Sequence, residues 1–122
     1  MKKILIVDDE AHILNIIKFN LKKRGYDITI ASNGEEAIEK IKGNIPDLLI
    51  IDVMMPKMSG YDVCRILKED EKYKDMPIIM LSAKSQLEDI EVAKELGITK
   101  YLTKPFSPMM LMKKVVEIIG EA

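Results

Sequence analysis

Cysteine is nearly absent: Cys64 stands alone in 122 residues, so no internal disulfide can form, which suits a reducing compartment. Net charge is nearly absent too, at −1, and no stripe of Lys and Arg is available to neutralise a run of phosphates. Direct nucleic-acid binding is therefore not expected. Long hydrophobic runs are missing as well. Met1-Lys2-Lys3 is followed by only a short apolar stretch before Asp8, too short for a signal peptide or a membrane span, so a cytoplasmic protein without a membrane partner is expected. Linkers and low-complexity segments are also lacking, and residues 1–122 are expected to form one domain. What is present is the composition of a globular protein, 48% hydrophobic and 32% charged, with nine methionines best placed as core filler.

Short β-branched runs alternate with longer amphipathic stretches. Ile4–Val7, Tyr26–Ala31, Leu48–Ile51, Pro77–Leu81 and Lys100–Leu102 have the length and apolarity of strands buried on both faces, the mark of a parallel sheet. Five helices are expected between and after them. The first runs from Glu10 to Arg24 and stops at Gly25; the second runs from Gly34 to Lys42 with Asn33 as its cap. The third runs from Gly60 to about Glu69 behind Ser59, and the fourth from Ser85, with Glu88 completing a capping box, to Leu96. The last opens with Ser107 and Pro108 and runs to about Ile119. The β-α unit thus repeats five times, which gives an α/β sandwich with right-handed crossovers.

Ionisable residues follow the strands. Asp8-Asp9, Asp52, Ser82 and Lys104 each come at or just after the end of a different predicted strand. Ligands of an open parallel sheet bind outside the carboxyl ends of its strands, near the point where strand order reverses. Asp8-Asp9 alone would read as a helix cap, and Ser82 alone equally so. Together they deliver three acids, a hydroxyl and an amine to one rim. Two carboxylates about 4 Å apart repel by roughly 4 kcal/mol at an effective dielectric near 20, so such a group needs protons or a cation. Carboxylates, carbonyls and water suit Mg2+. A carboxylate in that setting can act as a nucleophile toward phosphorus, with Lys104 and Ser82 placed to share the phosphoryl charge.

With Val7-Asp8-Asp9-Glu10, Asp52-Val53-Met54-Met55-Pro56 followed by Ser59-Gly60, Leu81-Ser82-Ala83-Lys84 and Tyr101-Leu102-Thr103-Lys104-Pro105-Phe106, the chain resembles the response-regulator receiver domains of two-component signalling. The resemblance covers essentially the whole chain. It implies a flavodoxin-like, doubly wound (βα)5 fold with five parallel strands in the order 2-1-3-4-5. It implies that Asp52 accepts a phosphoryl group from a sensor histidine kinase. Mg2+ would be held by Asp9, Asp52 and the backbone carbonyl of Met54, with Asp8 acting mainly through water. Lys104 would pair with the phosphoryl group and precede a cis peptide bond to Pro105. Ser82 would move toward the phosphate and Tyr101 would turn inward, altering the surface formed by the fourth helix, the fifth strand and the fifth helix. The protein would be a switch with its own phosphotransfer and slow dephosphorylation chemistry rather than a turnover enzyme.

The first helix carries two apolar faces, Leu14, Ile17 and Leu21 on one and Ile13, Ile16 and Phe19 on the other. A second apolar face marks a binding surface. Receiver domains dock their kinase through this helix, so His12, Ile13, Ile16, Phe19 and Asn20 are the expected kinase contacts. Met54 and Lys84 replace the amide and acid of fast-decaying relatives, and slow self-dephosphorylation is expected. Ile98-Thr99-Lys100 and Lys113-Lys114 differ from the charges that build the usual dimer of DNA-binding relatives. A stand-alone monomeric receiver acting on an unspecified downstream protein is expected, with a dimer open to the phosphorylated form. Two rivals fit less well. A dehalogenase-type phosphatase wants an acid where Met54 stands, and a flavin binder wants a Gly/Ser/Thr-rich phosphate loop where Asp8-Asp9-Glu10 stands. A purely structural binding module remains if Asp52 is never modified.

Overall fold

A computed structural model of the chain describes residues 1–83, 91 and 94–122. Its strands are β1 (Lys3–Val7), β2 (Asp27–Ala31), β3 (Leu48–Asp52), β4 (Ile78–Ser82) and β5 (Lys100–Thr103). They pair in parallel in the order β2-β1-β3-β4-β5. Among the described residues the helices are α1 (Ala11–Lys23), α2 (Gly34–Gly43), α3 (Gly60–Lys68) and a C-terminal helix (Pro108–Ile119). The helix expected from Ser85 to Leu96, with Lys84 before it, lies largely outside the described residues.

Alternation along the strands splits the apolar side chains between two cores. Leu5, Val7, Leu49, Ile51 and Met80 face Ala37 and Ile41 of α2 and Val63 and Leu67 of α3. Ile4, Ile6, Leu48, Ile50, Ile79 and Leu81 face Leu14, Ile17 and Leu21 of α1 and Leu111 and Val115 of the C-terminal helix. Helices thus cover both sides of the sheet.

Expected burial on both faces holds for β1, β3 and β4 but not for the edges. In β2 Asp27 and Thr29 are exposed, and in β5 only Leu102 is fully buried. Each edge strand has one neighbour, so its outer side stays open to water.

Local chemistry sets the helix starts. Asn33 accepts from the Glu36 N–H at 2.8 Å, and Ser107 from the Met110 N–H at 3.0 Å. Ser59 and Asp62 form a reciprocal capping box. α1 is one residue shorter at each end than expected, because Glu10 acts as its cap without a side-chain bond and Arg24 takes the C-cap.

Candidate functional site

Register fixes which side chains meet at the carboxyl rim. Val7 pairs with Ile51, Asp52 with Leu81 and Ser82 with Thr103, so the ends of four adjacent strands stand in one row. Strand order reverses between β1 and β3, and Asp8 and Asp52 flank that point. Asp8, Asp52 and Ser82 are 0%, 3% and 2% exposed, and they are the buried polar residues among those described.

Lys104, arriving after β5, bridges the two buried acids. Its Nζ donates to Asp8 Oδ2 at 2.8 Å and lies 3.4 Å from Asp52 Oδ2. Glu10 Oε1 stands farther out, at 3.9 Å from the same nitrogen. Asp8 Oδ1 also accepts from the Glu10 N–H at 2.9 Å, so its second oxygen does serve the start of α1. The Lys104–Pro105 peptide is cis.

The loop after β3 is shaped around Asp52. Met54 N–H points to Asp52 Oδ1 at 3.4 Å, while the Met54 residue is 63% exposed. Gly60 donates to Val53 O at 3.0 Å, and a Cβ at Gly60 would lie 2.3 Å from Asp52 O. Only glycine lets α3 start so close to the Asp52 backbone.

Electrostatics follow from this crowding. Burial, then the Asp8 carboxylate, push the Asp52 carboxyl up to about 6, against the pull of Lys104 and the Met54 N–H. Burial alone would lower the Lys104 pKa, but its bond to Asp8 and the charges of Asp52, Asp8 and Glu10 raise it. Several carboxylates thus share one ammonium. The oxygens of Asp8, Asp9 and Glu10 can come within 4.8 Å of one another, with Asp9 and Glu10 exposed to solvent. Hard oxygen donors beside an under-neutralised buried carboxylate fit Mg2+.

Each expected site residue has a definite place. Asp8, Asp52 and Lys104 form one ion network, and Asp9 joins it from the solvent side through the carboxylate group with Asp8 and Glu10. Ser82 ends β4 in the same row. Tyr101 lies half-buried in β5, against the core on the α2–α3 side. On α1 His12 is exposed, its Nε2 3.6 Å from Glu10 Oε2, and Ile16 and Phe19 are 45% and 66% exposed. Ile13 is partly buried, and Asn20 Nδ2 donates back to Ile16 O at 2.8 Å. Glu10 is the site residue that motif reasoning passed over. Its position directly after Asp8-Asp9, at a helix cap, was the available signal.

A doubly wound parallel sheet with buried acids and a lysine at its switch point defines the class of α/β domains that bind ligands at the carboxyl rim. The pattern of the response regulator receiver domain matches residues 4–116, and the chain belongs to that family. It is 44% identical over 118 residues to the alkaline phosphatase synthesis transcriptional regulatory protein PhoP of Bacillus subtilis (strain 168), covering 97% of this chain and 48% of that protein. It is 42% identical over 121 residues to the probable transcriptional regulator ycf27 of Pyropia yezoensis, covering 99% and 49%. The chain spans about half the length of the curated relatives it matches. The chemotaxis protein CheY4 of Vibrio cholerae superposes with a TM-score of 0.93 at 34% identity, covering 98% of this chain and 99% of that one. The flavodoxin-like fold with strand order 2-1-3-4-5 is thereby shared. Among the described residues no helix is long and apolar enough to cross a membrane.

Proposed function

We propose that residues 1–122 act as one phosphorylation-controlled switch that accepts a phosphoryl group on Asp52 from the phosphohistidine of a sensor kinase. The observation that carries this reading is the Lys104 ammonium held between two buried carboxylates, 2.8 Å from Asp8 and 3.4 Å from Asp52. An ionised Asp52 oxygen attacks phosphorus as the phosphorus–nitrogen bond breaks and the kinase's imidazole leaves with the electron pair. Burial and the Asp8 carboxylate raise the Asp52 pKa to about 6, still below neutral pH, so an ionised carboxylate is available for that role. Lys104 then exchanges a carboxylate for a phosphoryl oxygen, and the Ser82 hydroxyl donates to another. Asp9, Asp52 and the Met54 carbonyl would hold Mg2+, with Asp8 acting through water. When bound, the ion would supply positive charge to the carboxylates and to the phosphoryl oxygens.

Relay is assigned to Ser82 and Tyr101, which lead from the pocket to the surface of β5, the C-terminal helix and the helix expected before β5. His12, Ile13, Ile16, Phe19 and Asn20 are the proposed kinase contacts. The downstream target is a protein, met by a monomer or by a dimer of the phosphorylated form. The cell compartment is the cytoplasm, where neither membrane nor nucleic acid is touched by these residues. Relatives bearing the names of transcriptional regulators favour a role upstream of gene control.

Incubation with acetyl phosphate and Mg2+ followed by intact-mass measurement tests the acceptor. One phosphoryl addition is expected, absent in Asp52→Ala and absent when Mg2+ is chelated. Addition that persists in Asp52→Ala refutes the assignment.

A further inference from the structure

The open edge of β2 carries four backbone groups that the sheet does not use. Pairing with β1 takes Asp27 N–H to Lys2 O at one end of the strand and Asp8 N–H to Ala31 O at the other. Hydrogen bonding alternates along a strand, so Asp27, Thr29 and Ala31 serve β1. The N–H and C=O of Ile28 and Ile30 therefore point away from the sheet. Such a row is a template for another strand. One of the four groups is taken: Lys40 Nζ, reaching across from α2, donates to Ile30 O.

Lys40 is aimed at that carbonyl. Glu36 Oε2 lies 3.7 Å from its Nζ, one turn back on α2, and Glu36 Oε1 is itself fixed by the Ser32 N–H at 2.6 Å. The ammonium is thus held between a carboxylate and the edge, with its charge standing where an incoming strand would lie. Helix α2 does not shield the neighbouring stretch. Thr29 is exposed, and a cavity of about 280 Å3 opens there between Leu5, Thr29, Lys40 and Asn44.

We propose that Lys40 guards an interface for a second copy of this chain, in which two β2 strands pair antiparallel and join their sheets edge to edge. The strand is its own complement. Turned about a two-fold axis through Thr29, Ile28 faces Ile30 of the other copy, and the two residues exchange both N–H to C=O bonds. The axis repeats this at Ile30, so all four outward groups are used. Side chains suit that register. Ile28 and Ile30 meet as apolar β-branched pairs on the α1 side, and Thr29 meets Thr29 on the other. Asp27 falls opposite Ala31, so no like charges face one another within the strands. The Lys40 ammonium opposes the pairing in two ways. It takes the Ile30 carbonyl that the Ile28 N–H of the other copy needs, and the axis would bring two such ammonium groups to one side of one junction. This interface is separate from the phosphotransfer chemistry at the carboxyl rim.

Light scattering behind a size-exclusion column reads the molar mass of the 122-residue chain at loadings from about 10 to about 500 µM. The wild type is expected to run as a monomer. K40M keeps most of the side chain's length but loses the ammonium, and is expected to reach twice the wild-type mass at the upper loadings. K40R keeps a donor and a charge and stays monomeric. T29K sets a lysine directly against its own copy across the two-fold axis, so T29K/K40M is expected to return to the monomer. K40M that remains monomeric throughout overturns the proposal. A K40M dimer that T29K leaves intact also overturns it, because that dimer uses another surface. So does a wild-type dimer that T29K dissolves, because Lys40 then guards nothing.

Discussion

The two ends of the sheet handle polar groups in opposite ways. At the amino pole each group has a simple partner. Lys2 Nζ donates to Ile119 O, Tyr26 Oη to Gly120 O at 2.6 Å, and Lys3 N–H to Asp47 Oδ2 at 2.7 Å. At the carboxyl rim Asp8 and Asp52 share one ammonium, with Glu10 beside it. These bonds tie Ile119 and Gly120, at the end of the C-terminal helix, to Lys2 and Tyr26, which stand just before β1 and β2. The rim keeps an excess of negative charge in a buried place, which raises the free energy of the resting fold and makes the site responsive to cations and phosphate.

That contrast can be tested through stability. The folded-state pKa of Asp52 is raised from 3.8 to about 6, so its contribution to stability is full below about pH 4 and lost as pH rises through about 6. In Mg2+-free buffer at pH 7, Asp52→Asn should therefore stabilise the fold by about 2 to 3 kcal/mol. Urea unfolding should show the gain shrinking toward zero near pH 4. A gain that does not change with pH would mean that charge crowding is not the cause.

A kinetic test sharpens the rim alone. Met54 is well exposed beside Asp52 and offers a thioether where an amide could hold water. Met54→Asn should speed loss of the phosphoryl group about tenfold, followed by mass over time. An unchanged rate would move the control of decay to other residues. The smallest effect belongs to the pole. Tyr26→Phe should cost about 1 kcal/mol through its lost bond to Gly120, with no pH dependence between pH 4 and 7. A pH-dependent cost there would erase the difference between the two ends.

Much of this arrangement is legible in the sequence, and the limits have physical reasons. Ile4–Val7 and Leu48–Ile51 are apolar at every position and end in acid, so strand, burial and rim placement are read together. Asn33, Ser59 and Ser107 work as caps because capping is local chemistry. Half-exposure of β2 follows an alternation already in the sequence, with Asp27 and Thr29 exposed and Ile28 and Ile30 packed against the core, which a reading of the run as buried on both faces passes over. Glu10 is legible as part of the Val7–Glu10 motif, but its closeness to Lys104 is not, because it joins residues 94 positions apart.

Lys104 gives the resting protein a placeholder. Its ammonium occupies the negative pocket much as a spare key occupies a lock, holding the acids at a spacing they would not keep alone. Under the proposed function, a phosphoryl group on Asp52 would meet an ammonium already 3.4 Å from that carboxylate, and Lys104 would change partners without leaving the pocket.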